Sequence, residues 1–204
     1  MNTVFRFLRS AGLVLAVCLA TAAPLHAATG KGEFALKGIG ATDCATLVRE
    51  FKAGTPNAMM YGGWVYGYLT AMNQSSPDTF DLAPWQDLNT LTNFLIEYCG
   101  KNPRTSVGQA VFNMTAALKP MRAKSASAPV RLGPKGGSVV VYADVITRIG
   151  QALKAKGFYK GPLDSNKPQF SDEMSQALKA FQARNKLAQT GLPDQFTLFR
   201  LFAN

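Results

Sequence analysis

The chain has 204 residues, 47% of them hydrophobic and 17% charged, with a mean hydropathy near zero. That balance excludes a disordered low-complexity chain, and the length allows one ordinary domain or two small ones. Twenty-two Lys and Arg stand against twelve Asp and Glu, an excess that suits an anionic envelope polymer or membrane surface, or simply a well-solvated exterior.

In chain order, Arg6 and Arg9 precede the apolar run of residues 11–20, and small residues follow through Ala28. A positive start, a short apolar run and a small-residue cut site predict a secretory signal peptide over residues 1–27, with a periplasmic mature chain. The run is too short to span a bilayer as a helix, so no transmembrane segment is expected after cleavage. Lipidation of Cys18 is the alternative, and the bulky Val17 before it argues against that. Cleavage after Ala27 removes His26, the one histidine, and Cys18. Cys44 and Cys99 remain as an even pair in an oxidising compartment, where a disulfide is expected.

The remaining 20 basic and 12 acidic side chains leave a net charge of +8. Residues 28–121 balance at seven of each, residues 122–140 hold four basic and no acidic, and residues 141–204 hold nine basic and five acidic. The basic character therefore lies towards the C-terminus. Export disfavours nucleic acid as the partner.

Residues 29–41 read as a loose, glycine-containing lead-in. Asp43 or Thr42 can cap a first helix through Phe51, stopped by Gly54 and Pro56. A second helix is expected over 57–73, and a third from about Pro84 to Tyr98, since proline suits a first turn. A fourth runs from the cap Ser106 through Leu118 to Pro120. Gly63 and Gly67, one turn apart on the second helix, are expected to permit a close helix–helix approach. Trp64, Tyr66 and Tyr68 project from the same helix. A Cys44–Cys99 bridge would tie the start of the first helix to the end of the third. Residues 123–140, rich in small residues and proline, read as a linker. Beyond it, helical spacing recurs over 142–156, 173–186 and 193–202.

The last 60 residues carry the most specific pattern. Ile149-Gly-Gln-Ala-Leu-Lys-Ala-Lys-Gly-Phe-Tyr159, Gly161-Pro-Leu-Asp164, Gln176-Ala-Leu-Lys-Ala-Phe-Gln182 and Thr190-Gly-Leu-Pro-Asp-Gln-Phe-Thr-Leu198 follow one another in order. Together they resemble the peptidoglycan-binding-domain family, a three-helix module appended to many wall-active proteins. One stretch departs from that pattern. After Asp164 the loop is about three residues longer than usual, Ser171-Asp172 replace the family's Gly-Pro, and Met174 replaces its threonine. Leu153, Leu178, Phe181, Leu198 and Leu201 recur at helical intervals as core, and Asp194 is placed to cap the last helix. The resemblance leaves Tyr159, Asp164, Phe170, Gln182 and Arg184 as candidate peptidoglycan contacts. An aromatic platform, an arginine fork and amide donors suit a polymer of hydroxyls, amides and carboxylates.

The layout from Cys44 through Trp64-x-x-Gly-Tyr68 to Tyr98-Cys-Gly-Lys-Asn-Pro103 resembles small periplasmic helical proteins of the HdeA acid-chaperone type. It also resembles the immunity proteins that block type VI secretion amidases. Both act by binding protein.

The expected fold is thus all-α, a disulfide-stapled helical bundle (28–122) and a three-helix peptidoglycan-binding-like domain (141–204) joined by the linker. No enzyme is expected: zinc hydrolases and Cys–His or Ser–His nucleophiles need histidine, and the two cysteines are expected to pair. A cell-wall hydrolase using two carboxylates is the less favoured reading, since Glu50 and Glu97, the best-placed glutamates, fall on expected helices at ordinary surface spacing. No cofactor or metal is implied. The expected partners are peptidoglycan and, through the bundle, another envelope protein; a locally retained immunity- or chaperone-like inhibitor is the alternative.

Overall fold

Five of the helices begin on a side chain suited to end them. Asp43, Asp87, Ser106, Ser171 and Asp194 each accept the backbone N–H three residues on, which satisfies one of the unpaired donors at a helix start. The computed structural model of the chain describes residues 29–134, 137–165 and 167–203. The expected signal segment, with Cys18 and His26, lies outside them.

Among the described residues the elements are α1 (Cys44–Ala53), α2 (Pro56–Ser75), α3 (Leu88–Lys101), α4 (Val107–Leu118), β1 (Pro129–Leu132), β2 (Val139–Tyr142), α5 (Ala143–Ala155), α6 (Asp172–Arg184) and α7 (Gln195–Phe202). The fold is all-α apart from one two-stranded antiparallel sheet. The described residues from Leu36 onward belong to one compact unit.

Within that unit lie two cores. The first, among α1–α4, buries Leu47, Tyr61, Val65, Leu91, Leu95 and Val111. Cys44 and Cys99 sit wholly buried inside it as a disulfide, with Cα atoms 4.7 Å apart. The start of α1 is therefore tied to the end of α3, as the spacing predicts. Cross-linking residues 55 apart stabilises by about 4 kcal/mol in the chain-entropy account. The second core joins α5, α6 and α7 through Ile149, Leu153, Leu178, Phe181, Leu198 and Leu201, all 2% exposed or less.

Three expectations change. The third helix starts at Leu88 on an Asp87 cap, not at Pro84. The loop before it carries Trp85 across to the second core, where the ring is buried and lies 5.7 Å from that of Phe202.

The segment 123–140, read as a linker, contains β1 and the start of β2. Val130, Leu132, Val139 and Val141 pack on the second core, and the Ser127 hydroxyl accepts the Asp144 N–H at 2.9 Å, capping α5. Ala123, buried, exchanges backbone bonds with Asp81.

The close helix approach uses Gly62 rather than Gly63 and Gly67. A Cβ on Gly62 would meet Leu88 Cδ2 at 2.9 Å, whereas nothing lies within 4 Å of one on either other glycine. Trp64 and Tyr68 stack on each other and pack against the first core, while Tyr66 is exposed.

Candidate functional site

The turn after α5 and the loop into α6 enclose a pocket of about 200 Å³. Its wall comes from Ile146 and Thr147 of α5, from Tyr159, from Pro162–Asp164, and from Lys167, Gln169 and Glu173 around the start of α6. Tyr159 is 5% exposed, and its hydroxyl donates to the Pro162 carbonyl at 3.0 Å. Lys154 Nζ lies 5.8 Å from the centre of its ring, within cation–π range. Gly161 explains the tightness of the turn. A Cβ there would stand 2.4 Å from the Tyr159 hydroxyl and 2.6 Å from Glu173 Oε2, so a side chain would have to push the Tyr159 ring and the Glu173 carboxylate aside.

The five candidate contacts do not form one cluster. Tyr159 and Asp164 line the pocket. Phe170 lies between two lining residues in sequence and packs on the second core. Arg184 is exposed on the last turn of α6, roughly 17 Å along the helix axis from Glu173 at 1.5 Å per residue.

Gln182 is corrected outright. It is wholly buried, and its Nε2 donates to the Thr190 and Thr197 hydroxyls at 3.1 and 2.9 Å and to the Leu192 carbonyl at 3.0 Å. Its Oε1 accepts the Gly191 N–H at 2.8 Å. The amide is spent on holding the Thr190–Thr197 loop, and no ligand can reach it without opening that loop. The same loop requires Gly191, with φ of 69° and a would-be Cβ 2.6 Å from Ser175 Oγ.

Sequence reasoning missed Lys167, Gln169 and Glu173. The signal was present, because the loop that departs from the family pattern is the one that builds the wall. Ser171 takes the capping position, accepting the Met174 N–H at 3.1 Å, and Met174 becomes core. The resulting pocket sets one ammonium, one side-chain amide and two carboxylates around an apolar floor. Such a set can receive a ligand carboxylate at Lys167 and hydroxyl or amide donors at Asp164 and Glu173. Among the described residues no three His, Cys, Asp or Glu side chains converge as a metal site. No helix among them is long and apolar enough to cross a membrane.

The family model described as "Putative peptidoglycan binding domain" matches residues 144–201, from the second residue of α5 to the last but one of α7. No curated protein and no solved structure matches the chain. The match contains the whole of the pocket wall and the helices of the second core. The C-terminal region of this chain is a domain of the peptidoglycan-binding family.

Proposed function

We propose that the protein is a non-catalytic periplasmic wall-binding protein. It holds peptidoglycan in the pocket between Tyr159 and Glu173 and offers its disulfide-stapled bundle to another envelope protein. The observation that carries this reading is the coincidence of the family match, residues 144–201, with a pocket of mixed donors and acceptors. The net positive charge of the C-terminal half adds a sequence-independent attraction to an anionic wall.

A second reading gives the bundle the principal role, as an immunity- or chaperone-like inhibitor that the wall domain keeps local. It is favoured by the surface of α2, where Met59 is 82% exposed, Met60 58% and Tyr66 46%. Apolar side chains exposed on the outer side of one helix suit a protein partner.

Incubating the oxidised protein with purified peptidoglycan sacs separates the possibilities. Protein in the pellet with no soluble wall fragments released is the expected result. Release of fragments would overturn the non-catalytic reading. Absence of protein from the pellet would overturn wall binding.

A further inference from the structure

Where the loop before α3 meets β2 and the start of α7 lies a second cavity of about 320 Å³. Asp81, Trp85, Gln86 and Asp87 line it on one side, and Tyr142 and Gln195 on the other. Apart from Gln195 these residues fall outside the stretch that matches the wall-binding family.

Gln86 is 6% exposed, yet its Nε2 finds no hydrogen-bond partner among the described residues. A buried amide donor left in that state is destabilising. A carbonyl or hydroxyl acceptor brought into the cavity would remove that penalty.

The charge of the wall narrows the ligand. The carboxylates lining the cavity, Asp81 and Asp87, have no Lys or Arg beside them in the lining. Burial, then Asp81 and Asp144, push the Tyr142 phenol above its ordinary value, so it stays a protonated donor. An anionic group is repelled here, while hydroxyl and amide donors are welcome. The rest of the wall is apolar, with Trp85, Val141 and the half-exposed Val140.

Asp87 and Gln195 also line a neighbouring groove of about 610 Å³, floored by Phe94, Phe196 and Phe199. Phe196 is 77% exposed, and the Phe94 and Phe199 rings lie 5.7 Å apart. A bare aromatic floor beside carboxylates and amides suits the apolar face and the hydroxyls of a sugar ring.

We propose that this cleft is a glycan site, which takes an N-acetylated hexosamine with its acetamido carbonyl on Gln86 and lets the following sugars lie over Phe196 and Phe199. The site deepens the wall-binding reading and rests on it: the domain's own pocket holds the wall, and the cleft reads the glycan strand. A carbonyl acceptor, hydroxyl donors and an apolar face, without negative charge, are what the cleft asks for. The glycan backbone offers all of them, and the acidic stem peptide does not.

The test titrates the full oxidised protein with chitotriose, and separately with a soluble stem peptide, while following the two tryptophan indole signals by NMR. Only Trp85 of the two lines the cavity. Chitotriose is expected to shift the Trp85 signal, with binding weakened about tenfold or more in Gln86→Leu and in Phe196→Ala. Phe196 is exposed enough that its variant retains the fold, which a thermal melt checks.

A Trp85 shift unaltered in both variants would overturn the proposal, with Gln86 then merely hydrated. A shift produced by the stem peptide and not by chitotriose would also overturn it. Retention on wall sacs with no Trp85 response would sink this inference and leave the wall-binding reading standing. Loss of both would sink the two together.

Discussion

The side-chain amide of Gln195, at the first position of α7, donates to the carbonyl of Trp85 at 2.6 Å. Its oxygen accepts the Asp87 N–H at 3.1 Å and the Thr90 hydroxyl at 2.8 Å. One residue thus clamps the start of α3 to the start of α7. Gln195→Ala removes three bonds and strands a carbonyl at a partly buried seam. Urea unfolding should register a loss of about 2 kcal/mol. A loss below about 0.5 kcal/mol would mean that solvent replaces the clamp.

Trp85 is carried by the bundle and buried in the other core. Trp85→Ala should cost about 3 kcal/mol or more, as large aromatic truncations in cores do. The shared side chain also predicts that both halves of the wild-type chain unfold in one transition. Two separated transitions in a calorimetric scan would contradict this.

Arg148 strengthens the same seam. Its guanidinium donates to the carbonyls of Met121 and Arg122, and it pairs with Asp144 at 3.1 Å. Arg148→Met keeps the aliphatic stem and leaves those carbonyls to solvent. The expected loss is about 1–2 kcal/mol, and hydrogen exchange should rise first near Met121 and Arg122. Uniform exchange along the chain would argue that the arginine holds nothing local.

The disulfide closes the bundle, so replacing Cys44 and Cys99 together by Ala should cost about 4 kcal/mol. Against a typical total of about 5–15 kcal/mol, that brings the bundle close to unfolding at 37 °C. Equal midpoints for the oxidised and reduced protein would contradict it.

Acid should loosen the fold through three depressed carboxyls. The Thr55 hydroxyl and the Asn57 amide hold Glu50 below its ordinary value of 4.5, Thr46 does so for Asp43, and the Lys101 ammonium for Glu97. The unfolded chain binds protons more tightly at these sites. Their stabilisation is therefore complete above the ordinary carboxylate values and is lost as pH falls through the lower folded values. The thermal midpoint should decline on acidification below about pH 4.5, and Glu50→Gln should flatten that decline. A midpoint that rises with acid would reverse the assignment.

Helices, caps and the disulfide were legible because each depends on short-range chemistry: Asp43, Ser106 and Asp194 cap as their positions imply, and the apolar spacing marks Leu153, Leu178 and Leu198 as core. The seam was not legible. Nothing local tells that Trp85 leaves its own bundle, or that Gln195 closes on Asp87 and Thr90. The hairpin does carry a local signal. Val139-Val-Val-Tyr142 is a β-branched and aromatic run, hidden by the Pro and Gly around it. Tyr159 and Asp164, reached through their motif, line the pocket. The sequence does not tell the buried Gln182 from a contact residue, because a polar residue at a helix end looks alike whether it faces solvent or ties down a loop.

If the C-terminal domain binds the wall through its own pocket, co-sedimentation of the oxidised protein with peptidoglycan sacs across a salt series is decisive. Retention should persist at high salt and fall in Asp164→Ala and Lys167→Ala. Retention that disappears with salt would reduce the interaction to screened charge attraction. No retention at any salt would contradict the claim.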